Sequence, residues 1–102
     1  MWQDNVETVN IKLNWKDSLH FCSQLSLNNY QDWRLPSLSE LRSIVDKSNS
    51  PSIKNGIKNI KARIYWSSTE QSRLRAKGIF FFNGSSSKKE KKEKKGVRCV
   101  RN

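Results

Sequence analysis

Apolar residues recur at helical spacing in two stretches of this chain. Trp15, Leu19, Cys22 and Leu25 fall four, three and three positions apart, which predicts one apolar helix face. Asn14 is placed to cap that helix, with Asp17 near its positive end, and Asn28-Asn29 tolerate the left-handed backbone that ends one. The second stretch starts extended, because Pro36 keeps Leu35 out of the α region. Ser37 and Glu40 then form a Ser-x-x-Glu capping box, and Leu38, Leu41, Ile44 and Val45 follow at helical spacing, predicting a helix to about Lys47. Trp33 and Leu35 anchor its entry. Elsewhere the period is that of strands. Residues 5–12 alternate loosely (Val6, Val9, Ile11) and predict one strand or two short ones; Tyr65–Thr69, residues 76–82 and Val97–Arg101 predict three more. Ile79-Phe80-Phe81-Phe82 predicts a strand covered on both faces, or one whose outward Phe is exposed for a purpose.

Two segments carry no such period. Residues 48–63 read as an irregular excursion, with turn chemistry at Ser48-Asn49-Ser50-Pro51-Ser52 and Asn55-Gly56. Residues 85–96, after a turn at Asn83-Gly84, hold Ser85-Ser86-Ser87 and then six lysines in the eight residues 88–95, with no apolar member; they predict a mobile lysine-rich hairpin loop. Helices early and strands late describe an α+β fold: two helices on a small, mainly antiparallel sheet. The 102 residues are expected to form a single domain, 1–102, whose modest core, with only 34% apolar residues to draw on, is filled out by four Trp and four Phe.

Charge changes the picture. Residues 1–53 carry five basic and six acidic side chains, residues 54–102 fifteen basic and three acidic, and the whole chain is at +11. A nearly neutral half joined to a half at +12 implies a polyanionic partner or surface; the alternative is a lysine-rich solvated face. The candidate contacts are Lys54, Lys58, Lys61, Arg63, Arg73, Arg75, Lys77, Lys88, Lys89, Lys91, Lys92, Lys94 and Lys95. Arginine can clamp a sulfate or carboxylate with two parallel hydrogen bonds, whereas lysine adds unpatterned charge.

Little points to catalysis. His20 is the single histidine, no nucleophile can be assigned to it, and Ser67-Ser68-Thr69 lacks the glycines of a hydrolase elbow. Cys22 and Cys99 are too far apart for a Cys-x-x-Cys redox motif and too few for a zinc site. No catalytic residue, cofactor or metal is predicted, no run is long and apolar enough to span a membrane, and no signal peptide stands in this text.

Five blocks in one order carry a resemblance: Trp2-Gln3-Asp4-Asn5, Cys22, Trp33-Arg34-Leu35-Pro36 with Glu40-Leu41, Tyr65-Trp66-Ser67-Ser68-Thr69, and Val97-Arg98-Cys99-Val100-Arg101. Together they resemble the Lcl C-terminal domain, the bacterial domain at the end of Legionella collagen-like proteins. The resemblance implies a C-type-lectin-like fold with adjacent N- and C-terminal strands. It also implies a Cys22–Cys99 disulfide, which would place the protein in an oxidising compartment; two buried free thiols in the cytosol are the alternative. Trp33, Arg34, Pro36, Ser37, Glu40 and Trp66 then read as structural, with Arg34 pairing Asp32 or Glu40 or holding a loop carbonyl. Calcium-dependent lectins resemble this fold, but their Glu-Pro-Asn, Gln-Pro-Asp and Trp-Asn-Asp triplets are missing here. The function expected is a non-catalytic, adhesion-type binding module of an exported protein, present as part of a longer precursor, with anionic polysaccharide or another polyanionic surface as its partner. Nonspecific nucleic-acid binding, which rests on charge alone, and a purely structural or assembly role in the cell envelope are the alternatives.

Overall fold

The first capped helix sets the frame. Asn14 Oδ1 accepts from the Asp17 amide at 2.8 Å, opening α2 (Trp15–Gln24), whose Cys22 is fully buried. The computed structural model describes residues 1–49, 52–54, 56–57, 60–61 and 63–102. Ahead of α2 lie the one-turn α1 (Glu7–Asn10) and the two-residue β1 (Lys12–Leu13). Half of the strand expected over 5–12 is therefore a helical turn. Val6 and Val9 are three apart, a turn's period and not a strand's, and Val6 is exposed while Thr8 is buried.

After α2, Asn28 and Asn29 both take positive φ (57° and 65°). They close a tight turn in which Leu27 and Tyr30 exchange both backbone hydrogen bonds, so they form a hairpin-like link and not the cap of α2, which stops at Gln24. The chain then bridges to its own C-terminal segment at Arg34 and Val100, and the predicted capping box opens α3 (Leu38–Arg42). That helix is shorter than its apolar spacing suggests. Ile44 and Val45 donate to carbonyls three residues back and Asp46 turns the chain by accepting from Ser48, yet Ile44 is still buried.

The sheet has five strands in the order β1-β5-β2-β3-β4: β2 (Ile64–Glu70), β3 (Arg75–Phe80), β4 (Ser85–Glu90) and β5 (Lys95–Gly96) join β1. β5 runs parallel to β2 and every other pair is antiparallel, so the sheet is mixed. Successive strand residues face opposite sides, and Tyr65 and Trp66 enter two different cores. On one side Trp66 joins Trp33, Leu35, Ala76, Val97 and the Cys22–Cys99 disulfide beneath α2; on the other Tyr65 joins Leu38, Leu41, Ile53, Ile79 and Phe81 beneath α3.

Two expectations are corrected here. The lysine-rich segment 85–96 is not a loop: Ser85–Glu90 pairs with β3 in unbroken register from Phe80↔Ser85 to Arg75↔Glu90, and Lys95–Gly96 is β5. Gly84, at φ 76°, and Asn83, whose Oδ1 accepts from the Ser85 amide and hydroxyl, turn the chain so that β4 satisfies the backbone of β3. The last strand does not fall where predicted: β5 ends at Gly96, before Val97–Arg101 begins. Val97–Cys99 run outside the sheet, and Val100 makes only isolated bridges to Trp2 and Arg34. Within the irregular excursion, Ser52 donates to Phe81 O and Lys54 to Ile44 O. Ser50, Pro51 and Asn55, read as turn residues, lie outside the described residues.

Candidate functional site

The motif residues of the central stretch are built into the frame. Glu40 accepts from the Ser37 amide at 2.8 Å and from both terminal nitrogens of Arg34 at 2.7 and 2.8 Å, while the Ser37 hydroxyl accepts from the Glu40 amide. Of the partners open to Arg34, it takes Glu40. The Arg34 guanidinium is the first cause that brings the Glu40 carboxyl down to about 2, against some burial and with help from the Ser37 amide. Asp32 is held instead by Arg101, which also stacks over the Tyr30 ring at 3.6 Å. Leu38 N finds Thr69 Oγ1 at 3.0 Å and Pro36 O accepts from Ser68 at 2.7 Å, so the start of α3 is pinned to the irregular stretch of β2. Trp33 and Trp66 are buried, with their indole N–H groups donated to backbone carbonyls.

Most of the candidate cations line three clefts. One, of about 430 Å³, lies between the β2–β3 turn and the end of β4 and is lined by Arg73, Leu74, Arg75, Glu90, Lys91 and Lys92. Much of its charge is answered: Lys91 donates to Glu70 at 2.7 Å and to Arg73 O, stands 4.4 Å over the Trp15 ring, and Lys92 lies 3.4 Å from Glu90. A second, of about 140 Å³, is lined by Gln71, Lys77, Ser86, Ser87 and Lys88, where Lys77 and Lys88 stand directly opposite on the ladder. Like charges so placed repel across the strands, and an anion between them relieves that. The third, of about 330 Å³, is lined by Lys12, Arg63, Ile64, Phe80, Lys94, Lys95 and Gly96, with no acid in its wall.

The predicted contacts are thus not one surface. Alternation puts Arg75, Lys77 and Lys88 on one face of the β3–β4 ladder and Lys89 on the other. Lys54 and Lys61 are exposed outside the three clefts, and Lys58 lies outside the described residues. Lys12, which the charge pattern does not single out because it belongs to the near-neutral half, enters through its pairing with Gly96. Arg98, by contrast, leaves the surface. It is fully buried, donates to Gln3 O and to Thr8 Oγ1, lies 3.6 Å from Asp4 and faces the Tyr65 ring. Burial lowers its pKa, and the neighbouring Tyr65 ring and Asp4 carboxylate oppose that.

His20 lies on the exposed side of α2, at an open apolar groove with Phe21 and Leu25. Among the described residues, no three His, Cys, Asp or Glu side chains come together in an arrangement that could hold a metal ion, and no helix is long and apolar enough to cross a membrane. The bond between Cys22 and Cys99 is consistent with an oxidising compartment.

No curated protein matches this sequence closely enough to add a relative. The family model of the Lcl C-terminal domain matches residues 1–101, nearly the whole chain and every block of the resemblance, and the chain belongs to that family.

Proposed function

We propose that this domain is a non-catalytic binding module of an exported bacterial protein, that its architecture is C-type-lectin-like, and that it recognises anionic polysaccharide or another polyanionic surface. One observation carries the reading: the strands of the second half gather cations into outward-facing clefts, two of which have no acid in their lining. The disulfide between α2 and the C-terminal segment and the bridges between Trp2 and Val100 support the lectin-like frame and the exported setting. Lysine and arginine in clefts give an affinity that depends on salt, and arginine adds geometric choice among anions.

The reading is tested by titrating dextran sulfate, neutral dextran and duplex DNA against the protein from low to physiological salt. Binding to dextran sulfate that outlasts binding to DNA as salt rises is the expected result. Equal affinities that vanish together at physiological salt would reduce the clefts to unselective charge and sink the proposal.

A further inference from the structure

The three cationic clefts are not equivalent, and the number of cations singles out the one formed by β1, β5 and the paired ends of β2 and β3: it gathers four with no acid in its lining, whereas the other cleft without an acid holds only Lys77 and Lys88. Lys12 lies across from Gly96, Lys95 precedes it, Arg63 stands just before β2, and Ile64 is the ladder partner of Phe80. Four cations therefore meet around about 330 Å³. The nearest acid to any of them is Glu93, 3.6 Å from Lys95 and outside the lining. By comparison, the cleft beside Arg73 includes Glu90 and has its Lys91 tied to Glu70. With only Lys95 paired among the described residues, the gathered cations repel one another, and an oxyanion in their midst relieves that repulsion.

The remaining wall is apolar and built. A Cβ at Gly96 would meet the Tyr65 ring at 2.9 Å and Arg63 Cδ at 3.1 Å, so the backbone of β5 and the stem of Arg63 are in close contact and the guanidinium is carried on a packed stem. Phe80 lines the cleft and stacks on Phe82, with centroids 5.6 Å apart and planes inclined by 26°; Phe82 is 62% exposed. An anion alone has no use for that wall. A compact ring with an apolar face and a charged substituent uses both parts. The volume lies near the lower end of the roughly 300–1,000 Å³ common for small-molecule sites, room for one such ring. The charged lining side chains are all donors. They suit sulfate, phosphate, ring oxygen and hydroxyl acceptors, and they offer nothing to read the N–H donors of a nucleobase.

We propose that this cleft is the selective subsite of the domain, that it holds a single sugar unit bearing a sulfate or phosphate ester between Lys12, Arg63, Lys94 and Lys95, and that the sugar's apolar face lies on Phe80. The inference rests on the anionic-glycan reading above and locates its specificity at the β1–β5 edge, away from Lys88 and Lys89 of β4.

Two double variants of the full chain, each losing two positive charges, separate the site from bulk charge: Arg63→Gln with Lys94→Gln in the cleft, and Lys88→Gln with Lys92→Gln outside it. Binding to dextran sulfate at physiological salt is expected to weaken about tenfold or more in the cleft pair, and less than about threefold in the other. Phe80→Leu, which keeps the apolar packing, is expected to weaken glucose 6-sulfate in an NMR titration while leaving inorganic sulfate unchanged. Equal losses in the two pairs would overturn the subsite. A loss for glucose 6-sulfate no greater than for inorganic sulfate in Phe80→Leu, or equal weakening of a single-stranded oligonucleotide by the cleft pair, would overturn the sugar assignment. If wild-type protein ignores dextran sulfate at physiological salt, the glycan reading itself fails. Shifts at residues 12, 63, 80 and 94–96 with inorganic sulfate or anionic lipid vesicles would then mark an oxyanion cleft that serves another ligand.

Discussion

Glu40 closes the capping box of α3 and clamps Arg34 with the same carboxylate, so one ionisation supports two contacts. Its folded pKa, about 2, lies below the ordinary 4.5, chiefly because of the hydrogen bonds from Arg34. A carboxyl that holds its proton less tightly when folded contributes stability that is fully present above about 4.5 and is lost as pH falls toward about 2. Glutamine keeps the box but not the charge, and the pair is partly exposed, so Glu40→Gln is expected to cost less than about 1 kcal/mol at neutral pH. Glu40→Ala, which loses both, is expected to cost about 1–2 kcal/mol. Urea denaturation at a series of pH values checks this, because the gap between wild type and Glu40→Gln should close across that acid window; a gap independent of pH would refute the linkage. The box was legible in the sequence because its two residues are three apart and their chemistry is local. The burial of Arg98 was not. Its partners Gln3, Asp4 and Thr8 lie some ninety positions away, and a single arginine between apolar neighbours reads equally as a surface residue of a strand.

At the scale of elements, the strands of the second half depend on backbone proximity as much as on side chains. Gly78 faces Trp66 in the β2–β3 ladder, and a Cβ there would stand 2.5 Å from the Tyr65 carbonyl oxygen. Gly78→Ala is therefore expected to destabilise the domain by about 1–3 kcal/mol through overpacking against backbone, read as a fall in Tm of about 5 °C or more; an unchanged Tm would mean that the two strands can part at no cost. The same dependence explains why β4 is hidden in the sequence. Serine and lysine have no strand preference to detect, and what holds Ser85–Glu90 extended is the unpaired edge of β3 opposite. β2 and the start of α3, by contrast, announce themselves through Tyr65-Trp66 and the Ser37 box. α3 stops at Arg42 although apolar spacing continues to Val45, since burial of Ile44 in a following turn satisfies the same pattern.

For the whole molecule, the Cys22–Cys99 bond closes a loop of 77 positions and ties the first core to the C-terminal segment. Replacing both cysteines by serine is expected to cost about 4 kcal/mol in the chain-entropy model. Denaturation of that variant and of reduced wild type, compared with the oxidised protein, checks it; three coincident transitions would show that the cross-link constrains nothing. Spacing alone could not pair these cysteines, and it was the family resemblance that implied the bond. Nor could charge counting reveal the four-cation cleft, because Lys12 is drawn from the neutral half by a two-residue strand. Among the described residues β4 is one of the sheet's two outer strands and the longer of them, and a bare outer strand invites a second chain to add to it. Here Lys88 and Lys89 stand on its two faces and repel such a neighbour. That safeguard is purely ionic and holds only while the lysines are uncompensated. A polyanion laid along β4 would cancel it, so the kind of ligand this surface attracts is also the kind that would license stacking of one molecule's sheet onto the next.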